Sequence, residues 1–146
     1  MIYLTGNTSF ELSDDQQAAL SGFLESGGFI FGEGCSEEGE GQSKGAKEFG
    51  LAFNKLASQL KCKLETVQRG HTLLSIANVF SAVPQGAEPT GLLLQGGNML
   101  YSGSDYGCAW QGGHQNDSLS RDIIRASFEI GANIVNYAHM VKVANR

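Results

Sequence analysis

The stretch Gly27-Gly28-Phe29-Ile30-Phe31-Gly32-Glu33-Gly34-Cys35 decides how the chain is read. The two leading glycines end a helix, because the left-handed position just past a helix end takes glycine most readily. Phe29, Ile30 and Phe31 form a short continuous apolar run, the pattern of a strand buried on both faces. Gly32, Gly34 and Cys35 leave that strand at its carboxyl end. Ligands and catalytic groups of open α/β sheets collect at that end. Cys35 is therefore the first candidate functional residue.

Upstream, Ile2 to Thr5 reads as a short buried strand and Gly6-Asn7-Thr8 as a turn. Ser13 stands where an N-cap belongs, with Gln16 as its capping-box partner and Leu12 placed to staple the first turn. From Asp14 to Ser26 the residues Ala18, Ala19, Leu20, Phe23 and Leu24 share one helical face. Asp14 and Asp15 suit the positive end of that helix. Strand, helix and strand in this order predict a right-handed βαβ unit with a parallel pair.

Downstream, Ser36 to Ser43 is polar and acidic and is expected to be a surface loop. Glu48 to Leu60 is expected to be helical, burying Phe49, Leu51, Ala52, Phe53, Leu56 and Leu60. Leu64 to Val67 is a third strand, with Cys62 a half-buried structural thiol before it. Gln68 to Pro89 fits either a short helix or an extended loop carrying Leu73, Leu74, Ile76, Val79 and Phe80. Gly91–Gln95 and Asn98–Ser102 flank Gly96-Gly97 as strands flank a two-residue hairpin turn. Gly103 to Gln115 is a Gly-rich loop. Asp117 or Ser118 caps a long last helix whose wide apolar face includes Ile123, Phe128, Ile130, Ile134, Val135 and Tyr137. Gly131 inside it would allow close packing on the sheet. The expected architecture is one α/β domain over residues 1–146: a three-layer fold with a mostly parallel sheet, helices on both faces and one antiparallel hairpin.

The bulk properties narrow the function classes. A formal net charge of -5 gives no electrostatic support for a nucleic-acid partner. No apolar run approaches the ~20 residues of a membrane span. The chain is expected to begin directly in a strand, without a secretory signal. Cys35, Cys62 and Cys108 are widely spaced and odd in number. They are read as reduced thiols of a cytoplasmic protein.

Two constellations offer chemistry. In the first, Cys35 is a nucleophile, His71 or His114 its base, and the Gly32–Gly34 backbone an oxyanion site. His139 is most simply a helix-end residue. Against this reading, Ser36-Glu37-Glu38-Gly39-Glu40 is loop-like, where a nucleophile elbow runs at once into a helix. Glu33, Glu37, Glu38 and Glu40 also fall within eight residues, and carboxylates disfavour a thiolate. In the second constellation, Asp105, Cys108, Trp110 and His114 share one loop. With Cys35 or His71 they have the residue types of a zinc site. No Cys-x-x-Cys pair is present, so the residues are read as packed: Asp105 caps its turn, and Cys108 and Trp110 lie under the loop. Trp110 would alternatively flank a ligand cleft. The acidic run Glu33–Glu40 lacks the spacing of a calcium loop and is read as a solvated face. No metal or cofactor is expected. Gly6, Gly34, Asp105, Cys108 and Trp110 are the candidate ligand-binding residues.

Three motifs then resemble one family. They are Tyr3-Leu4-Thr5-Gly6 followed by Phe10-x-Leu12-Ser13, the Gly27–Cys35 stretch, and Leu100-Tyr101-Ser102-x-x-Asp105-x-Gly107-Cys108-Ala109-Trp110 with Gly131-Ala132-Asn133-Ile134-Val135-x-Tyr137-Ala138. Together they are similar to the bacterial domain-of-unknown-function family 4159. The resemblance implies a class I glutamine amidotransferase-like, flavodoxin-like fold. It also implies that a further strand and helix, usual at the start of members, are lacking here, leaving a sheet edge for a second subunit. Where members carry Asp-His-Pro, this chain has Gly70-His71-Thr72. The superfamily holds Cys-dependent amidotransferases and domains without the chemistry, so fold alone does not choose between them. The expected function is a non-catalytic domain binding a small ligand or a protein partner, as a homodimer. The alternative is a Cys-dependent hydrolase or amidotransferase-like enzyme using Cys35 with His71 or His114.

Overall fold

In the computed structural model, which describes residues 1–36, 44–114 and 117–144, β1 (Ile2–Gly6), α1 (Asp14–Glu25) and β2 (Ile30–Gly34) open the chain. His114 and Asp117 are described by their backbone alone. β1 and β2 pair in parallel, with Gly6 opposite Gly34. α1 begins with a complete capping box. Ser13 Oγ accepts the Gln16 N–H, and Gln16 Oε1 accepts the Ser13 N–H. Gly27 then takes a φ of +83°, and the chain turns into the buried run ahead of β2.

The sheet has five strands in the order β1-β2-β5-β4-β3, completed by β3 (Glu65–Thr66), β4 (Leu93–Gly96) and β5 (Met99–Ser102). β1–β2 and β2–β5 are parallel; β5–β4 and β4–β3 are antiparallel. The sheet is thus mixed in equal parts rather than mostly parallel. The cause is the segment read as a third strand. It docks on the outside of the hairpin, antiparallel, pairing Glu65 with Gln95 and Thr66 with Leu94, with the Val67 N–H donating to the Leu93 carbonyl at 2.9 Å. Gly96 admits it: a Cβ there would lie 2.0 Å from the Lys63 carbonyl oxygen. The hairpin turn is Gly97-Asn98, one residue later than the glycine pair suggested, with Gly97 at φ +52°.

Alternate residues of the central strands feed two cores. Ile30, Met99 and Tyr101 pack with Phe49, Phe53 and Ala57 of α2 (Lys44–Gln59). Phe31 and Leu100 pack with Ile130, Ile134 and Tyr137 of the last helix, and with Leu73 and Leu74. α2 starts four residues before the expected Glu48. Gly45, in its first turn, passes so close to Asn7 that a Cβ would sit 1.8 Å from the Asn7 oxygen. Leu51, expected inside, is 72% exposed. α1 buries none of its residues fully and leans over the sheet through Leu20, Phe23 and Leu24.

Residues 68–89 form one 3₁₀ turn, Thr72–Leu74, and otherwise irregular chain. Fully buried Asn133 organises that chain. Its Nδ2 donates to the Leu73 and Asn78 carbonyls at 2.8 Å each, and its Oδ1 accepts the Asn78 N–H at 2.7 Å.

The expected loop after β5 contains a short helix, α3 (Tyr106–Trp110). Two short strands follow, β6 (Gly113–His114) and β7 (Asp117–Ser118), which pair with each other. The last helix, α4 (Arg121–Ala144), is capped by Ser120, whose Oγ accepts the Ile123 N–H, and not by Asp117 or Ser118. Those two residues are taken up by β7. Gly131 packs against Trp110, 3.1 Å from where its Cβ would be, rather than on the sheet. Glu37, Glu38, Glu40 and Gln115 lie outside the described residues. No helix of the described residues is long and apolar enough to cross a membrane.

Candidate functional site

Strand alternation puts Glu33 on the same face as Phe31, and this carboxylate is completely buried. Tyr3, stacked on Phe31 with ring centroids 5.1 Å apart, reaches along the strand and donates its hydroxyl to Glu33 Oε2 at 2.7 Å. The Tyr106 and Gly107 N–H groups donate to Oε1 and Oε2 at 2.8 Å each. These are the first N–H groups of α3, which have no partner inside their own helix. Burial raises the Glu33 pKa above the ordinary carboxylate range, and the donors pull against it. The sequence reading placed Glu33 at the head of an acidic loop. The signal that could have found it is its place two residues after Phe31, still inside the strand.

α3 starts from an unusual residue. Asp105 lies in the left-handed region, at φ 53° and ψ 56°, and is 1% exposed. Its Oδ1 accepts the Cys108 N–H at 3.3 Å, and its Oδ2 accepts the Ser36 N–H at 3.0 Å. One carboxylate thus ties the exit of β2 to the first turn of α3. Asp and Asn tolerate this backbone conformation better than other side chains.

That tie brings Cys35 and Cys108 together. Their sulfurs are 3.8 Å apart, both residues are half-buried, and a carboxylate oxygen of Asp105 completes a group whose atoms all lie within 4.8 Å of one another. Burial is the main force raising the Cys35 pKa, followed by the Asp105 charge. Cys108 is raised further by the same two causes, burial first. Both thiols hold their protons at neutral pH.

The other candidates are placed as follows. Trp110 donates its indole N–H to the Ser127 carbonyl at 2.8 Å and lies 6.1 Å from the Tyr3 ring. Gly6 and Gly34 are register partners. Added Cβ atoms would meet the Phe49 ring and the Ala46 carbonyl at 2.8 and 2.9 Å, so α2 fills that space. The Cys35 N–H donates to the Gly6 carbonyl at 2.8 Å. His71 caps the 3₁₀ turn through Nδ1 and rests beside Tyr137, whose ring meets Phe29 at the start of β2. It is therefore at the opposite end of β2 from Cys35. The backbone of His114 follows α3 in β6, and its side chain lies outside the described residues.

A second feature lies along β1, which the sequence reading left as a possible edge. β1 is the edge of the sheet. Ile2 and Gly6 bond to the β2 side, and strand alternation places Leu4 with them, so the N–H and C=O groups of Tyr3 and Thr5 face the open edge. One face of this edge carries an apolar groove of about 550 Å³, lined by Leu4, Phe10, Leu12, Ala19, Leu20 and Phe49. The other carries a smaller apolar hollow between Met1, Tyr3, Phe31, Trp110, Ile134 and Val135.

The family model of a domain of unknown function, DUF4159, matches residues 1–139, and the chain belongs to that family. No curated protein matches it.

Proposed function

We propose that this member of the DUF4159 family is a non-catalytic α/β domain that pairs with a second copy of itself through the open edge of β1. The observation that carries this reading is an uncharged edge strand, Ile2-Tyr3-Leu4-Thr5-Gly6, with apolar hollows on both of its faces. Edge strands that stay single are usually guarded by charge, proline or a bulge, and none of the five residues is charged or proline. A two-fold axis beside the edge would set β1 antiparallel to its copy. The outward N–H and C=O groups of Tyr3 and Thr5 would pair, and the exposed Met1, Tyr3 and Val135 side chains would be covered. Two separate helix-lined cores support a three-layer, amidotransferase-like reading of the fold. Three widely spaced cysteines, an odd number, support a reducing, cytoplasmic setting.

The surroundings of Cys35 support a binding domain over a hydrolase. A thiol nucleophile needs a neighbour that favours the thiolate. The neighbouring carboxylates of Asp105 and Glu33 favour the thiol, and His71 stands at the other end of the strand.

Sedimentation over a range of concentrations tests the pairing. The chain should pass from monomer to dimer. Thr5→Pro, which removes an outward N–H, and Val135→Glu, which charges the hollow, should each leave monomers with cooperative unfolding. A chain that stays monomeric, or a dimer indifferent to both changes, refutes it. Hydrolysis of an amide, ester or thioester that disappears in Cys35→Ala would overturn the non-catalytic part.

A further inference from the structure

We propose that Cys35, Cys108 and Asp105 bind a thiophilic divalent cation, zinc being the physiological example, with one coordination position left open. The first argument is geometric. Zinc–sulfur bonds of about 2.3 Å spanning the observed 3.8 Å between the sulfurs make an S–Zn–S angle of about 110°, which is tetrahedral. A disulfide would require the sulfurs to approach to about 2.05 Å. The reduced pair already has the separation that a shared ion sets. The carboxylate is less perfectly placed. A tetrahedral sulfur–oxygen edge is roughly 3.5 Å, so Asp105 closes in by at most about 1.3 Å from the 4.8 Å limit.

The second argument is the support behind these ligands. The Asp105 carboxylate is held from two elements, by the N–H groups of Ser36 and Cys108. Ligating carboxylates of metal sites are fixed by such outer hydrogen bonds. Cys35 sits one residue past a strand whose centre is fully buried, and Cys108 is in a helix anchored on Glu33 through the adjacent Tyr106 and Gly107 N–H groups. The ligands therefore come from packed elements.

The third argument is independent of the ligand atoms. Ser36, next to Cys35 and only 4% exposed, has a hydroxyl with no hydrogen-bond partner among the described residues. A buried hydroxyl left without a partner is uncommon. It belongs to the residue whose N–H holds the Asp105 carboxylate.

Charge favours a cation. Two carboxylates, Asp105 and Glu33, act on Cys35, and Asp105 acts on Cys108. On binding, each thiol releases its proton to solvent and donates its sulfur lone pair to the ion. The two thiolates and the Asp105 carboxylate then oppose the ion's two positive charges. The half-exposure of both cysteines leaves a path for the ion and for a fourth ligand.

The test uses the full chain, reduced and stripped with chelator. Cobalt(II) titration should give a thiolate-to-metal charge-transfer band and the intense visible bands of four-coordinate cobalt, saturating at one ion per chain and discharged by zinc. Zinc should protect Cys35 and Cys108, but not Cys62, from alkylation read by mass spectrometry. Cys35→Ser and Cys108→Ser should each weaken zinc binding by more than the roughly 10–100-fold typical of outer-sphere changes. Cys62→Ser should bind as the natural chain does. Asp105→Asn keeps a residue tolerant of the left-handed backbone and should weaken binding without unfolding the chain. Absence of the charge-transfer band, or alkylation of Cys35 and Cys108 unchanged by zinc, overturns the proposal without recourse to any variant. Binding that survives both serine changes overturns it as well.

Discussion

Tyr3→Phe removes one hydroxyl from a completely buried carboxylate and keeps the ring that stacks on Phe31. A hydrogen bond to a charged group contributes ~1.5–3 kcal/mol, and one between neutral groups ~0.5–1.5 kcal/mol. Tyr3 is 40% exposed, so water replaces part of the loss and the lower ends of these ranges apply. The expected cost is therefore about 1.5 kcal/mol with Glu33 ionised and about 0.5 kcal/mol with Glu33 protonated. The sign with pH follows from the raised Glu33 pKa. Its contribution to stability is complete below the unfolded value of 4.5 and is lost as pH rises through the higher folded value. The Tyr3 hydroxyl favours the carboxylate, so its removal raises the folded value further and deepens that loss. The penalty of Tyr3→Phe should thus grow by about 1 kcal/mol as pH rises through the range in which Glu33 ionises in the folded protein. Urea unfolding of both proteins, followed by the fluorescence of Trp110, the sole tryptophan, at one fixed concentration measures it. A penalty that shrinks as pH rises would refute the reasoning.

Asn133→Ala takes the partner from the Leu73 carbonyl and from both backbone groups of Asn78. It should cost about 2–4 kcal/mol, and hydrogen exchange at the Asn78 amide should quicken; wild-type protection there would count against the assigned role. Gly32→Ala drives a Cβ to 2.3 Å from the fully buried Phe53 ring and should cost about 1–3 kcal/mol. Phe53→Leu should recover part of that cost in the double variant, which additive costs would disprove. Without metal, alkylation should be slow at both Cys35 and Cys108 near pH ~8 and slower at Cys108, because burial and Asp105 hold the protons on. A Cys35 that reacts quickly there would revive the nucleophile reading.

The elements that local chemistry specifies were legible in the sequence. Ser13 and Gln16 announce α1, the Gly27–Gly34 run announces β2, and Gly97 places the hairpin to within a residue. The features that depend on distant chain were not. Gly45 reads as a helix breaker until Asn7 lies against it. Ser120 is one of several plausible caps, and the choice falls to it because Asp117 and Ser118 pair with Gly113 and His114. Cys35, Asp105 and Cys108 were each named as candidates. Their grouping was weighed as a zinc site and the residues were read as packed, because the carboxylate that bridges β2 and α3 is a tertiary contact no local pattern announces. Glu33 was misplaced for a related reason: neighbouring glutamates suggest a solvated run, and only the ring of Tyr3 and the start of α3 make a buried carboxylate tenable.

The strand order carries a consequence for how the chain reaches this state during synthesis. β1, α1 and β2 are close in sequence, and so are β4 and β5, so each group can organise by itself soon after emerging from the ribosome. The seam between the groups joins Ile30 to Met99 and Phe31 to Leu100. It cannot close until β5 has been synthesised, and Glu33 gains the α3 amides only after that. Until then a nascent β2 has one bare margin in addition to the outer edge of β1. A stall in translation between residues 35 and 99 would present both margins at once, making that interval the period in which a holding chaperone matters most.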